Sequence, residues 1–160
     1  MADILIIDDD EMMVELISEL LADEGYTVRA AADGVLGLEE VSRRAPDLIL
    51  LDMNMPVLDG YAVATRLREA PELPKPLIVA VTGDTTPAAT EAILACGCAA
   101  IVPKPLDSEQ LIACVADLLA QDVPARSPVG SHETLNLRPA SRIVDPGNGP
   151  AYLGPTPNRD

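Results

Sequence analysis

The sequence predicts an α/β protein built on an open, doubly wound sheet of five parallel strands in the order 2-1-3-4-5. Short runs rich in Ile, Val and Leu recur along the first 122 residues. Amphipathic helical patterns fill the intervals between them, and cap residues punctuate the joints.

The first run is Ile4 to Ile7. Thr27 to Ala31, Leu48 to Leu51, Leu77 to Val81 and Ala99 to Val102 follow at regular intervals. Runs this short and this apolar fit strands of a parallel sheet covered on both faces. After the first run, Met13, Leu16, Ile17, Leu20 and Leu21 form an apolar stripe at helical spacing, with Asp10 placed to cap it. Gly25 and Gly97 stand where C-caps belong, and Pro87 suits the first turn of a fourth helix. Asp107 and Gln110 read as a capping box for the last helix, whose stripe is Leu111, Ile112, Val115, Leu118 and Leu119. Sheets of this kind bind ligands beyond the carboxyl ends of their strands.

Composition narrows the chemistry. Aromatic residues are 2% of the chain, with no Trp or Phe. The core is therefore aliphatic, and readings that need stacking platforms for bases or flavins are weakened. A net charge of −15 repels phosphate backbones and anionic lipid, which argues against nucleic acid and membrane partners. Met1-Ala2-Asp3 leads straight into the first apolar run, without a basic leader or a bilayer-spanning stretch, so a cytoplasmic protein is expected. Cys96, Cys98 and Cys114 read as small buried residues of a reducing compartment. A Cys96–Cys98 metal site would lack a nearby His or third ligand.

A boundary falls after Asp122. Residues 1–122 carry 23 acidic and 7 basic residues, whereas 123–160 carry 3 and 4. That last stretch holds seven prolines and four glycines in 38 residues, without sustained apolar periodicity. It is expected to be an extended or disordered tail, dispensable for folding and too short for a DNA-binding output domain.

Chemistry collects at the strand ends. Asp8 and Asp9 follow the first strand, Asp52 ends the third, Thr82 ends the fourth, and Lys104 follows the fifth. In a parallel sheet these positions share one edge, although Asp8 and Asp52 are 44 residues apart. Three crowded carboxylates call for a cation, and hard oxygen ligands describe magnesium. A carboxylate can attack phosphorus, and magnesium, Lys104 and the Thr82 hydroxyl can each hold an oxygen of the transferred group. Asp52, central in the sheet and standing alone, is the choice for nucleophile. Acids before a helix are also ordinary caps, and that is the role left to Asp10. His132, the single histidine, receives no role.

These motifs resemble the receiver domain of bacterial two-component response regulators, of the single-domain, chemotaxis-regulator-like kind, over about Ala2 to Ala120. The resemblance rests on Asp8-Asp9, on Asp52-Met53-Asn54-Met55-Pro56-Val57-Leu58-Asp59-Gly60, on Val81-Thr82-Gly83 and on Val102-Pro103-Lys104-Pro105. It implies a flavodoxin-like fold for residues 1–122, with Asp52 as phosphoacceptor forming 4-aspartylphosphate. It implies magnesium held by Asp8, Asp9, Asp52 and the Asn54 backbone carbonyl, with Thr82 as switch hydroxyl and Lys104 pairing with the phosphoryl group. A cis peptide at Lys104-Pro105 is implied as well. The expected donor is a histidine kinase or histidine phosphotransfer protein. The expected output is protein contact through the face of the fourth helix, fifth strand and fifth helix. Such a protein is a signalling phosphoacceptor that catalyses only its own phosphorylation and dephosphorylation.

One position departs from the family pattern. Ile101 stands where receivers usually carry an aromatic switch residue, so the loop from Gly83 to Pro87 is expected to carry the signal. Two other functions compete. A phosphorylation-independent docking module is kept open by Ile101. An aspartate-nucleophile phosphohydrolase would place a second Asp where this chain has Asn54.

Overall fold

The computed structural model describes residues 2–125, 142–145 and 149–152. Strands and helices alternate: β1 (Asp3–Ile7), α1 (Glu11–Asp23), β2 (Thr27–Ala31), α2 (Gly34–Arg43), β3 (Leu48–Asp52) and α3 (Gly60–Glu69). Then come β4 (Leu77–Thr82), α4 (Pro87–Ala95), β5 (Ala100–Pro103) and α5 (Ser108–Ala125). These five strands are parallel and lie in the order β2-β1-β3-β4-β5, as the sequence predicts.

Alternation along each strand divides the core into two layers. Leu5, Ile7, Ile49, Leu51, Ile78, Ala80 and Ile101 face α2, α3 and α4, meeting Val41, Val63, Leu67 and Ile93. Ile4, Ile6, Leu48, Leu50, Val79, Val81 and Val102 face α1 and α5, meeting Ile17, Leu21, Leu111, Val115 and Leu118. The sheet is thus covered on both faces, the reason its central strands read as unbroken apolar runs. Among the described residues no helix is long and apolar enough to cross a membrane.

Asp10 accepts from the backbone N–H groups of Met12 and Met13, and Asp107 accepts from that of Gln110 at 3.1 Å. Gly25 and Gly97 both take positive φ, the conformation a C-cap glycine supplies at no Cβ cost.

Three features differ from the sequence pattern. Leu16 of the first stripe is exposed and Val14 turns inward instead, because the buried face is centred on Ile17 and Leu21. β2 is only partly buried, since it is an edge strand with Arg29 in its middle. The third concerns residues 123–160. Most of the extended stretch expected there, His132 included, lies outside the described residues, but α5 continues to Ala125. Two further strands, β6 (Arg142–Asp145) and β7 (Gly149–Tyr152), continue the sheet beyond β5. β6 runs parallel to β5, with Ile143 opposite Ile101, and β7 returns antiparallel to β6. A strand edge with unpaired N–H and C=O groups accepts such an addition.

Candidate functional site

Register brings the polar strand ends together. Ile7 pairs with Leu51, so Asp8 and Asp52 emerge side by side, while Asp52 pairs with Val81 and Thr82 with Pro103. The carboxylates of Asp8, Asp9 and Asp52 offer oxygens that all lie within 4.8 Å of one another. Asp8 and Asp52 are each only 3% exposed, whereas Asp9 stands at the surface. The Lys104 ammonium reaches Asp52 Oδ1 at 3.3 Å. The backbone N–H of Asn54 donates to the same oxygen at 3.1 Å.

This cluster is electrostatically unbalanced. Burial, reinforced by Asp52, raises the Asp8 carboxyl from 3.8 to about 6, although the Asp10 N–H and Lys104 oppose the rise. At the 4.8 Å limit two carboxylates repel by about 3 kcal/mol in an effective dielectric of about 20. Lys104 is the one cation in contact with Asp52 among the described residues, against three carboxylates. A divalent cation with oxygen ligands would remove the repulsion, and the donor set fits such an ion.

The loop after Asp52 is shaped for close approach. A side chain at Gly60 would come within 2.6 Å of the Asp52 carbonyl oxygen and 2.7 Å of Met53 Cα. Only glycine lets the start of α3 pack against the strand end that carries Asp52. Asp59 caps that helix by accepting from the Ala62 N–H. Val57 takes φ +69° and is 94% exposed, a strained and uncovered apolar residue beside the site. The Lys104-Pro105 peptide is cis.

Thr82 is buried, and its hydroxyl accepts from the Asp84 N–H at 3.1 Å. A hydrogen-bonded path continues outward. The Asp84 carboxylate accepts from the Thr86 N–H at 3.1 Å and hydroxyl at 2.8 Å, and the Thr86 hydroxyl caps α4 by accepting from the Ala89 N–H. These Thr86 bonds hold the Asp84 carboxyl below its ordinary range. Asp84 and Thr86 were not singled out from sequence, although Asp-x-Thr-Pro before a helix is a capping signal. Ile101 is buried in the apolar layer on the α4 side. Tyr61 of α3 packs on that layer, and its phenol is pushed up by burial and then by the charge of Asp84. An aromatic ring therefore does stand near the Asp84 loop, supplied by α3 rather than β5.

Comparison with known proteins agrees with this arrangement. The family model for the response regulator receiver domain matches residues 4–116. The chain belongs to the response regulator receiver family. Response regulator MprA of Mycobacterium leprae is 37% identical over 148 residues, covering 90% of this chain and 64% of the relative. Its counterpart from Mycobacterium avium is 34% identical, with the same coverage of both chains. This receiver chain thus spans 64% of the length of those relatives. Among solved structures, Vibrio cholerae chemotaxis protein CheY4 is 30% identical with a TM-score of 0.69, covering 73% of this chain and 98% of that one. A CheY-like receiver from Methanospirillum hungatei is 26% identical with a TM-score of 0.70, covering 76% and 95%. Membership of this family places the receiver in two-component signalling.

Proposed function

We propose that this receiver is a phosphorylation switch of the cytoplasm in which Asp52 takes a phosphoryl group from a phosphohistidine on a histidine kinase or phosphotransfer protein. One observation carries the reading. Asp52 sits at the buried centre of a three-carboxylate cluster, ion-paired to Lys104, at the end of the strand beside Thr82.

Asp8, Asp9 and Asp52, with the Asn54 backbone carbonyl, would hold a magnesium ion, which when bound supplies positive charge to the transferring oxygens. An Asp52 carboxylate oxygen attacks phosphorus and the histidine nitrogen leaves. The Asn54 N–H and Lys104 orient the Asp52 carboxylate before reaction. Lys104 then exchanges part of its contact with Asp52 for a phosphoryl oxygen, and the Thr82 hydroxyl donates to another. Thr82 accepts from Asp84 through that same hydroxyl oxygen, so turning it disturbs the path through Asp84 and Thr86 to the start of α4. Partners read the result on the face of α4, β5 and α5, a face on which β6 occupies the β5 edge and so forms part of the contact surface, and the protein turns over no substrate other than its own phosphoryl group.

Intact-mass measurement after treatment with a small acyl phosphate and magnesium tests the reading. Wild type should gain one phosphoryl mass and Asp52→Asn none. Equal labelling of both would remove Asp52 from its role.

Ile101 favours a second reading, a docking module indifferent to phosphorylation. A buried aliphatic side chain, stiff at χ1, cannot swing as an aromatic switch does. The two readings separate with Ile101→Ala and a beryllofluoride phosphoryl mimic. Under the switch reading the variant loses stability, by about 3 kcal/mol, yet keeps most of the mimic-induced gain in partner affinity. Absence of any gain in wild type would favour docking alone.

A further inference from the structure

The chain returns to the sheet after α5 and extends it past β5, and the phosphorylation chemistry uses neither of the strands it adds. β6 pairs with β5 through Ala100–Arg142 and Ile101–Ile143, and β7 folds back along β6. The helices α4 and α5 pack on opposite faces of the sheet, so the β5 edge lies between them. Both added strands also lie against α5. They therefore fill the middle of the face on which partners read the receiver.

Backbone direction fixes what holds them. The Ala99 N–H donates to the Ile78 carbonyl of β4 at 2.7 Å. Alternation along β5 then points the Ile101 N–H to β4 as well, and the N–H groups of Ala100 and Val102 to β6. The register of β5 with β6 is shorter than its register with β4, and a two-stranded hairpin alone is marginal in water. β6 and β7 thus depend on β5 for their order.

β5 is also tied to the phosphorylation site. Pro103 pairs with Thr82, the Lys104 N–H donates to the Thr82 carbonyl at 2.8 Å, and the Lys104 ammonium holds Asp52 at 3.3 Å. Thr82 and Lys104 are the two side chains that turn to a phosphoryl group in the reading above. Ile101, in the middle of β5, is buried and stiff at χ1, so it cannot absorb the change by swinging. The change passes into the β5 backbone, the same backbone that β6 grips.

We propose that the β6–β7 hairpin is a displaceable cap on the output face, docked on β5 while Lys104 holds Asp52 and released when Lys104 and Thr82 turn to a phosphoryl group. This rests on the phosphorylation reading. Release bares the outward N–H and C=O groups of β5, an edge to which an extended segment of a partner adds as a strand. What a partner meets on this face therefore differs between the two states. Coupling is reciprocal, so a protein whose hairpin cannot dock should bind a phosphoryl mimic more tightly.

The test follows amide exchange in the full chain with and without magnesium and beryllofluoride. Without the mimic, the amides of Ala100, Val102 and β6 should exchange slowly. With it they should exchange several-fold faster as a group, while the Ile101 amide stays protected. Ile143→Pro removes a backbone donor from a strand paired on both sides and should release the hairpin while the sheet up to β5 stays folded. That variant should bind beryllofluoride several-fold more tightly than wild type, whereas Ile143→Val, which keeps the donor, should match wild type. β6 amides that exchange freely before the mimic is added overturn the proposal, as does unchanged protection in wild type saturated with it. So does equal mimic affinity in an Ile143→Pro protein whose Ala100 amide has lost its protection. A wild type that does not bind the mimic, seen as unmoved Asn54 and Asp84 amides, sinks the phosphorylation reading and this inference with it.

Discussion

The two ends of β1 each carry an aspartate, and the two are served very differently. Asp3, at the start, accepts from Arg29 at 2.8 Å and is ion-paired to Arg44 at 3.2 Å. Arg29 reaches on to Glu40 at 3.1 Å, and Glu40 pairs with Arg43. Each carboxylate there meets two guanidinium groups, and the Arg29 proton is held more tightly than usual, first by its bond to Asp3. Asp8, beyond the other end, shares its cluster with two more carboxylates and one lysine. The first arrangement is electrostatically complete and ties β1, β2 and α2 together. The second is incomplete, and a binding site for cations and phosphoryl groups is what an incomplete cluster of this kind suits.

The largest effect should come from opening the complete network. Arg29→Met leaves Asp3 and Glu40 short of a partner in a place where the arginine side chain is only 16% exposed. Urea unfolding should show a loss of about 2 kcal/mol, with phosphorylation unchanged. A slower phosphorylation rate in the folded variant would mean that the two ends of the sheet are coupled and the comparison is too simple.

Comparable in size, and opposite in sign, is the effect of relieving the incomplete cluster. Folding raises the Asp8 pKa, so folding is disfavoured by the ionised form, and stability is lost as pH rises from 3.8 through about 6. Without divalent ions, Asp8→Asn should therefore gain about 2 kcal/mol above that window and nothing below it. Urea titrations on both sides of the window check this, and a loss of stability at neutral pH would show that Asp8 is already balanced.

The smallest effect lies on the path out of the site. Thr86→Ala removes the α4 cap and should cost about 1 kcal/mol, while Thr86→Ser should cost less. Hydrogen exchange at the Ala89 amide should rise in Thr86→Ala and stop responding to the phosphoryl mimic. A response that survives the loss of the hydroxyl would route the signal elsewhere.

Why the sequence shows some of this and not the rest follows from the forces involved. Ile4–Ile7 and Leu48–Leu51 stand out because central parallel strands are buried on both faces, and a parallel sheet carries whatever follows them to one edge. That rule alone brings Asp8, Asp52, Thr82 and Lys104 together. Asp84 and Thr86 escaped because polar residues in a loop read as a turn until their hydrogen bonds are seen. Tyr61 escaped because helical spacing does not say which loop a half-buried ring will meet. β6 escaped because a strand added at an edge needs little apolar pattern, only an unpaired neighbour such as β5.

The contrast between a complete and an incomplete charge cluster is tested most directly by melting the protein across a magnesium titration, with Asp8→Asn and Arg29→Met alongside wild type. Wild type should gain thermal stability as magnesium rises, Arg29→Met should gain as much from a lower start, and Asp8→Asn should gain little. Equal gains in wild type and Asp8→Asn, or none in wild type, would contradict the account.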